Sequence, residues 1–407
     1  MLGPGLITGA SDDDPSGIGT YSQVGAQFGY GMLWTMLFSY PLMAAIQEIS
    51  ARIGRVTGFG IAANLRKYYP RWVLYAIVGS VLVANVINLG ADIGAMGAAA
   101  TLVLPGPVLL YTTGFGLLSV SLQVLVPYSK YVHYLKWLTL TLFAYIGTAF
   151  VVRIPWHVVT MAIVRPSISL NRDYFAALVA VLGTTISPYL FLWQASQEVE
   201  DVTANVGEAP LKNAPRQAQE QLHRIKWDTY IGMAFSNAVA FFIILTAAVT
   251  LHATGATNIA TAAQAAKALQ PVAGRLASSL FLAGIVGTGL LAVPVLAGSA
   301  AYGVGEAFRW RSSLERKPHQ AKRFYATLTA VTIAGLSLTF IHLDPIKALF
   351  WAAVVNGLVA SPLMVVIMLM TSNRKVMGKF TLPIGLKIFG WIATATMFLA
   401  SIGLLAT

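Results

Sequence analysis

Long apolar runs constrain this chain more than any other feature of its sequence. Two of them, Val73 to Leu89 and Ala176 to Trp193, approach the length of about 20 residues that crosses a bilayer as a helix. Only 10% of the 407 residues are charged, against roughly a quarter in ordinary soluble domains. A soluble protein of this size could not cover its surface with so few charges, so the sequence predicts an integral membrane protein.

Apolar runs and the polar breaks between them predict eleven membrane-spanning helices. Their predicted bounds are 3–24, 31–50, 73–98, 106–127, 134–152, 174–197, 228–250, 278–304, 324–342, 346–370 and 385–406. If the N-terminus is cytoplasmic, 20 of the 27 Lys and Arg residues fall in inside connections and 6 in outside ones. This split follows the positive-inside rule. We therefore expect a bacterial inner-membrane protein with its N-terminus inside and its C-terminus outside.

Composition also excludes several classes of protein. The net charge of +12 is explained by orientation in the membrane, and nucleic-acid binding would need a basic face on a folded domain, which this chain lacks. The absence of cysteine excludes disulfides, thiolate metal sites and lipidated thiols. We expect no cleaved signal peptide, because the first apolar stretch has no basic leader and contains three aspartates. The polar stretch 198–227 is predicted to be a loop with one short interfacial helix.

Two of the predicted spans are interrupted near their middle. The first contains Asp14-Pro15-Ser16-Gly17, and the sixth contains Gly183 and Pro188 five residues apart. Proline deletes a backbone donor and glycine tolerates unwinding, and the carbonyls that this frees persist at such depth only beside a cavity or a ligand. Matched interruptions in two halves indicate a midplane transport site between inverted repeats. The alternative is a pair of proline kinks that merely bend packed helices.

Acidic residues accompany the first interruption. An ionisable residue in mid-membrane is costly and therefore a functional candidate, and the Asp14 carboxylate beside unwound carbonyls suits a hard divalent cation. Asp13 could lie on the cavity wall, although both Asp12 and Asp13 could instead line a solvated vestibule lip. Asp92, in the third span, could relay protons or pair with a polar neighbour such as Asn88.

Three stretches resemble a known family. Gly3-Pro4-Gly5 followed by Asp14-Pro15, the segment GMLWTMLFSYPLMAAIQEISARIGRVTG at 31–58, and the turn at 371–378 are similar to the natural resistance-associated macrophage protein (Nramp) divalent-metal transporters. The resemblance covers essentially the whole chain. It implies an all-α polytopic membrane protein with a LeuT-type fold in a single transmembrane domain. The two inverted five-helix repeats would occupy 1–152 and 174–370, and the eleventh helix would occupy 385–406.

The resemblance also implies the ligands of the ion, and here the sequence departs from the family. In the family a first-helix Asp and Asn, a sixth-helix Met and a nearby carbonyl hold a transition metal. Asp14 is retained, but the Asn position is Gly17, and Ser187 in the stretch from Thr184 to Tyr189 stands in place of the Met. A hydroxyl lacks the preference of a thioether for soft metals. The pattern resembles the Nramp-related magnesium transporter branch, whose site contains only oxygen ligands.

Proton coupling is less clearly implied. Tyr189 and Gln194 occupy positions where the family has histidines, and the acidic residue three after Asp92 is replaced by Ala95. All six histidines of this chain lie at span ends or in loops: His133, His157, His223, His252, His319 and His342. Histidine-assisted proton release is therefore not expected. Because Asp92 is present, proton symport stays open.

Two polar residues in other spans complete the candidates. Gln47 in the second span could face the ion, although glutamine within a helix bundle commonly serves packing. Asn356, followed by Gly357 in the tenth span, could complete the site.

We therefore expect a secondary transporter that moves Mg²⁺ and/or Mn²⁺ by alternating access, without a cofactor or an obligate protein partner. The first alternative is a proton-coupled Mn²⁺/Fe²⁺ symporter of the standard Nramp type. A cation-coupled organic-solute symporter of the same architecture is the second, which Asp14 disfavours because a carboxylate beside the break repels anions. We expect no enzyme, since no span carries a His/Glu metal motif, a Ser/His pairing or a phosphate loop.

Overall fold

A computed structural model describes residues 3–126, 138–341 and 344–407, and within these ranges the chain contains helices and no strand. The main helices are α1 (Pro4–Asp12), α2 (Pro15–Phe28), α3 (Trp34–Thr57), α4 (Ile61–Tyr68), α5 (Arg71–Ala100), α6 (Val108–Leu125), α7 (Phe143–Val151), α8 (Trp156–Val164), α9 (Arg172–Thr185), α10 (Pro188–Ala204), α11 (Ala218–Thr250), α12 (Ala277–Ala307), α13 (Lys322–Leu338), α14 (Pro345–Ser372) and α15 (Ile384–Ala406). Short α-helical turns lie at Ala262–Ala266, Gln270–Ala273 and Arg374–Met377.

Eight helical segments of the described chain are long and apolar enough to cross a bilayer. A ninth is added if Leu140–Val151 and Trp156–Val164, which meet at a bend of 115°, count as one span. Of the other two predicted spans, the first is divided into two short halves, and the second, α3, carries Gln47 and Glu48 within its apolar stretch. Lys130 and His133 precede the predicted fifth span and Lys136 lies at its start; these three residues and His342 lie outside the described residues.

The loop predicted at 198–227 is much shorter than expected. Helix α10 continues to Ala204 and α11 begins at Ala218, so the connection occupies only 205–217, with a 3₁₀ turn at Pro215–Gln217. The prediction of a separate interfacial helix was wrong. Its residues belong to the start of α11, because Ala, Gln, Glu, Leu, Arg and Lys are strong helix formers even where the sequence is polar.

The two interrupted spans lie at the centre of the bundle. Helices α1 and α2 pack against α11, α9 packs against α14, and α10 packs against α3 and α12. In the most apolar window of α9 and α10, 89% of the residues are buried inside the protein, against 22% in α6 and 39% in α15. The central position means that both interruptions are enclosed by protein, while α6 and α15 present most of their surface outward.

Glycines permit the close approach of these central helices. A Cβ atom on Gly9 would overlap the backbone of Gly232 in α11, and one on Gly183 would overlap the backbone of α14 at Ala353 and Gly357. Small residues at such crossings allow backbones to touch in membrane bundles. The sequence predicts that Gly183 breaks the sixth span, but this residue lies inside α9, one turn before the interruption. It serves the contact with α14 instead.

Candidate functional site

The first span is interrupted between Asp12 and Pro15. Helix α1 ends at Asp12, Asp13 turns the chain at φ −82° and ψ 50°, and Asp14 is extended at φ −71° and ψ 170°. Proline at the next position disfavours the helical conformation of Asp14 and starts α2 without needing an amide donor. The sequence Asp-Pro thus ends one helix and begins the next at the same point in the bundle.

Asp14 is the N-cap residue of α2, and its side chain is 1% exposed. Its Oδ1 accepts hydrogen bonds from the Gly17 amide at 2.7 Å and from the Ser16 hydroxyl at 2.8 Å. The partial positive charge of a helix N-terminus favours a carboxylate at this position. These bonds fix the Asp14 carboxylate at the interruption and leave Oδ2 directed to other spans.

The sixth span is interrupted at Ile186 and Ser187. Helix α9 ends at Thr185, Ser187 is extended at φ −79° and ψ 130°, and Pro188 is the first residue of α10. The Ser187 hydroxyl lies 2.7 Å from the Thr184 carbonyl oxygen and 2.9 Å from that of Gly183, so it donates to one of them. The lone pairs of the Ser187 oxygen remain available as ligands, because the hydroxyl acts as the donor whichever carbonyl it contacts.

The two interruptions meet at Gly17. A Cβ atom there would lie 3.2 Å from the Thr184 Cγ2 and 3.3 Å from the Tyr21 Cε2, which is tighter than ordinary van der Waals contact. The Thr184 hydroxyl donates to the Ala180 carbonyl at 2.9 Å within its own helix, so its methyl group faces Gly17. The absence of a side chain at position 17 thus allows the first and sixth spans to touch.

Asn88 in α5 joins three of the predicted site residues. Its Nδ2 donates to Asp14 Oδ2 at 3.0 Å and to Asp92 Oδ2 at 3.1 Å, and its Oδ1 accepts from Asn356 Nδ2 at 3.0 Å. Tyr189 adds a further contact, because its hydroxyl lies 3.3 Å from both Asp14 Oδ2 and the Ser11 carbonyl oxygen. We call Asp14, Asn88, Asp92, Tyr189 and Asn356 the Asp14 cluster; all five are at most 1% exposed.

The Asp14 cluster connects four spans. The first contributes Asp14, the third Asn88 and Asp92, the sixth Tyr189 and the tenth Asn356. Asn356 Oδ1 is buried and has no hydrogen-bond partner, so it is a free oxygen within the cluster. Binding of an ion at Asp14 would therefore alter contacts in the third and tenth spans through the side-chain amide of Asn88.

Gln47 and Gln194 form a separate polar contact with α1. Gln194 Oε1 accepts from the Thr8 hydroxyl and from Gln47 Nε2, the latter at 3.5 Å, and Gln47 Nε2 also donates to the Leu190 carbonyl at 3.0 Å. Neither glutamine is hydrogen-bonded to Asp14. They join α3, α10 and α1 on the predicted cytoplasmic side of the interruption.

Asp12 and Asp13 do not line a solvated vestibule. Both are at most 2% exposed, and both face Ser236 in α11, whose hydroxyl lies 2.6 Å from Asp12 Oδ2 and 3.1 Å from Asp13 Oδ1. The alternative of a solvated lip is wrong, because α11 packs directly over the end of α1. The interruption consequently holds three consecutive buried carboxylates.

The donors at the interruptions are mostly oxygen atoms. Among the described residues, no three His, Cys, Asp or Glu side chains converge on a point that could hold a metal ion. A cation at Asp14 would therefore take its other ligands from carbonyls, amides, hydroxyls and retained water, as hard cations do. One thioether is near, because Met96 Sδ and the Pro15 ring both lie beside Gly289.

Sequence reasoning missed the role of Asn88 and the contribution of Ser236. The sequence suggests Asn88 only as a partner of Asp92, although its four-residue spacing from Asp92 places both on one face of α5. That shared face was a usable signal for a polar surface directed inward. Ser236 carries no such signal, since a lone serine in an apolar helix is common in membrane bundles.

Comparisons with known proteins show the family of the chain. Residues 5–407 match the family described as natural resistance-associated macrophage protein-like. The chain belongs to the Nramp family. The divalent metal cation transporter MntH of Klebsiella pneumoniae (strain 342) is 26% identical over 411 residues, which cover 97% of this chain and 91% of MntH.

Solved structures establish the fold of this Nramp protein. The manganese transporter of Eremococcus coleocola, crystallised with an aromatic bis-isothiourea compound, superposes with a TM-score of 0.78 at 17% identity and covers 100% of this chain and 86% of its own. Mhp1, a nucleobase-cation-symport-1 transporter, superposes with a TM-score of 0.63 at 14% identity, covering 100% and 91%. These likenesses confirm the predicted LeuT-type fold of two inverted five-helix repeats and an eleventh helix. The repeat bounds 1–152 and 174–370 stay predictions.

Proposed function

We propose that this Nramp protein carries hard divalent cations, Mg²⁺ and/or Mn²⁺, across a membrane by alternating access around Asp14. The observation that carries the proposal is the Asp14 carboxylate, buried at the point where two interrupted spans meet. No Lys, Arg or His of the described chain forms an ion pair with it. A buried carboxylate without a basic partner is costly, and a bound cation removes that cost. Relatives named for divalent metal or manganese transport support the same class of cargo.

The proposed preference for hard ions rests on the ligand types. Ser187 supplies a hydroxyl and Thr184 a carbonyl at the second interruption, and Gly17 supplies only backbone. Such a set gives no advantage to soft metals over Mg²⁺. Because Gly17 brings no side-chain ligand to the site, more of the ion's shell can stay water, which suits Mg²⁺ because it dehydrates reluctantly.

Alternating access would open and close two barriers around Asp14. On the predicted cytoplasmic side, five charged residues form what we call the ion-pair network, which links α3, α10, α11 and the connection between the last two: Arg55, Glu198, Asp201, Glu208 and Arg224. The contact of Thr8 with Gln194 lies between this network and Asp14. We propose that release of the ion to the cytoplasm requires both contacts to separate. The orientation itself is inferred from the 20-to-6 distribution of basic residues.

The test is uptake of Mg²⁺ and Mn²⁺ into proteoliposomes, with the internal pH recorded at the same time. We expect both ions to enter and to compete, and Asp14→Asn and Asp14→Ala to abolish uptake while the protein is still produced and monodisperse. Asp173→Asn, an exposed carboxylate at the start of α9, is the matched control and should transport normally. Normal uptake by both Asp14 variants would refute the proposal.

Proton-coupled Mn²⁺/Fe²⁺ symport is the second candidate, and the position of Asp92 favours it. Asp92 is separated from Asp14 by the single amide of Asn88, so a proton acceptor lies beside the proposed ion site. The same recording distinguishes the two candidates. Uptake without acidification supports transport of Mg²⁺ and Mn²⁺ without obligatory protons, and one proton entering with each ion supports symport.

A further inference from the structure

The connection between α12 and α13, together with the start of α13, is strongly basic. Residues 309–323 contain one acidic residue, Glu315, and six basic ones: Arg309, Arg311, Arg316, Lys317, Lys322 and Arg323. All six basic side chains are exposed, and none forms an ion pair with an acidic side chain of the described residues. The topology inferred from the basic residues places this surface on the cytoplasmic side. Its positive charge is therefore not balanced by the protein itself.

Aromatic side chains place this basic surface at the edge of the bilayer. Trp310 stacks on Phe308 with ring centroids 5.3 Å apart, and the Phe308 ring lies 6.2 Å from that of Tyr75 near the start of α5. The Arg323 guanidinium lies over the Trp310 ring at 5.6 Å. Trp and Tyr collect where the hydrocarbon meets the headgroups. The Arg323 side chain is thus held at the level of the lipid headgroups.

Hydrogen bonds fix the connection to the helix bundle. The Leu314 amide donates to Glu200 Oε1 in α10 at 3.0 Å. The Tyr325 hydroxyl in α13 lies 2.9 Å from the Arg316 carbonyl oxygen and 3.3 Å from that of Leu314, so it donates to one of them. Because this backbone is tied to two helices, binding of a ligand here costs little ordering of the chain.

Two apolar grooves lead away from the basic surface along α13. The first, of about 510 Å³, lies between α13, α12 and α5 and has Arg323 in its lining. The second, of about 610 Å³, lies between α13 and the end of α6 and has Lys322 in its lining. Ala326 and Ala330, which are exposed, line both grooves. The grooves therefore run side by side, separated only by a face of small side chains, and each has its own basic residue.

The grooves have the length and polarity of a lipid in one leaflet. The lining of the first groove extends along α13 from Arg323 to Ala334, eleven positions that correspond to a rise of roughly 16 Å. The hydrocarbon core of a bilayer is about 30 Å thick, so one leaflet accounts for about half of it. A groove of this length, apolar except near one end, matches an acyl chain that continues from a headgroup at Arg323.

We propose that an anionic phospholipid of the cytoplasmic leaflet binds at the start of α13, with its phosphate at Lys322 and Arg323 and one acyl chain in each groove. Basic pockets between membrane helices on the cytoplasmic side bind anionic headgroups, and the guanidinium group pairs with phosphate through two parallel hydrogen bonds. A zwitterionic lipid would bring its own cation to a surface that is already positive. The lipid site lies apart from the Asp14 cluster and does not depend on which ion the protein carries.

The experiment measures lipid retention by the delipidated full-length protein in native mass spectrometry, after incubation with phosphatidylglycerol or with phosphatidylcholine of the same acyl chains. We expect one phosphatidylglycerol per chain to resist a detergent wash and phosphatidylcholine to be lost. Each Lys or Arg near an anionic headgroup contributes a factor of about five. The double variant Lys322→Gln, Arg323→Gln should therefore bind phosphatidylglycerol roughly twenty-five-fold more weakly. Equal retention of the two lipids by the wild type would overturn the site.

Two exposed basic residues in another turn on the same predicted side provide the control for charge. The double variant Arg374→Gln, Lys375→Gln removes as much charge and should bind phosphatidylglycerol like the wild type. If both double variants lose the lipid equally, the attraction is diffuse and no site exists at α13.

Ala330→Phe tests the grooves without changing the charge. A ring at this exposed position would obstruct both acyl chains, so we expect phosphatidylglycerol binding to weaken about tenfold, whereas Ala395→Phe on the outward face of α15 should have no effect. Both positions are exposed, so neither ring disturbs the packed interior of the bundle. Unchanged binding in Ala330→Phe would show that the headgroup adsorbs to a charged surface without the grooves, which would overturn the proposed site.

Discussion

The side-chain amide of Asn88 donates to Asp14 Oδ2 at 3.0 Å, in the middle of the bundle. The second hydrogen of the same nitrogen is donated to Asp92 Oδ2 at 3.1 Å. One neutral amide therefore lies between two buried carboxylates and supplies the positive hydrogens that both need. A cation that binds Asp14 must compete with this hydrogen bond, so Asn88 stabilises the empty transporter more than the loaded one.

Asn88→Ala tests this role. Hydrogen bonds to charged groups contribute about 1.5–3 kcal/mol. Removing this one should destabilise the empty site and therefore lower the KM for the divalent cation by roughly tenfold. Turnover should also slow, because the empty transporter must complete each cycle. Asn85→Ala is the control: Asn85 lies one turn earlier in α5 and donates to the Leu296 carbonyl and to Ser299. It should lower stability without changing KM. A raised KM in Asn88→Ala, or equal effects in both variants, would contradict the prediction.

Ser187→Met tests the origin of ion preference. It places a thioether at the end of the second interruption, where the hydroxyl now donates to the Thr184 or Gly183 carbonyl. We expect Cd²⁺ and Mn²⁺ to gain over Mg²⁺ by about an order of magnitude in competition uptake, the factor that corresponds to about 1.4 kcal/mol.

Two further variants show whether sulfur itself causes that change. Ser187→Ala removes the hydroxyl without adding sulfur and should leave the preference unchanged. Met96→Leu removes the thioether that lies, like the Pro15 ring, beside Gly289, and should also leave the preference unchanged. A competition profile that is the same in Ser187→Met and the wild type would show that position 187 does not contact the ion.

Local chemistry explains which parts of the molecule could be predicted from the sequence. Both interruptions lie directly before a proline, Pro15 and Pro188, because the effect of proline on the preceding residue acts along the chain and needs no tertiary information. The apolar runs predicted the spans for a similar reason. Hydropathy alone does not indicate the polar start of α11, where helix propensity extends the helix back to Ala218.

Contacts between spans could not be predicted in this way. Whether Asp12 and Asp13 face solvent or Ser236 depends on how α11 is placed over the end of α1, which no local pattern encodes. The link from Asn88 to Asn356 likewise depends on the register of α5 against α14. Gly183 illustrates the ambiguity of a single residue type: the sequence predicts a helix break there, but the residue lies inside α9 at a close crossing with α14.

Gly17→Asn tests whether the missing side chain at the first interruption sets which ion is accepted. The Asn side chain would add an amide oxygen beside Asp14, and its Cβ would lie 3.2–3.3 Å from Thr184 and Tyr21, so these neighbours would have to shift. We expect lower Mg²⁺ uptake and a higher ratio of Mn²⁺ to Mg²⁺ uptake, because an added protein ligand replaces water that Mg²⁺ gives up reluctantly. Gly17→Ala adds the steric contact without the amide and should reduce both ions equally. A ratio that does not differ between the two variants would exclude an effect of the amide.

The ion-pair network offers a test of the barrier on the predicted cytoplasmic side. Arg55 is fully buried and contacts Asp201 at 2.9 Å and Glu208 at 2.5 Å, two carboxylates that are 30% and 24% exposed. Arg55→Ala should lower the free energy of unfolding by about 3 kcal/mol, the low end for breaking a buried pair, since both partners keep some water. Lys347→Ala breaks the exposed pair with Asp344 and should cost less than about 1 kcal/mol.

Cysteine labelling shows whether the ion-pair network also closes the path to the cytoplasm. Because the chain contains no cysteine, Thr8→Cys provides a single reporter beside Gln194. A maleimide should label it faster in the Arg55→Ala background than in the Lys347→Ala background, and equal labelling rates would show that the network does not close this path.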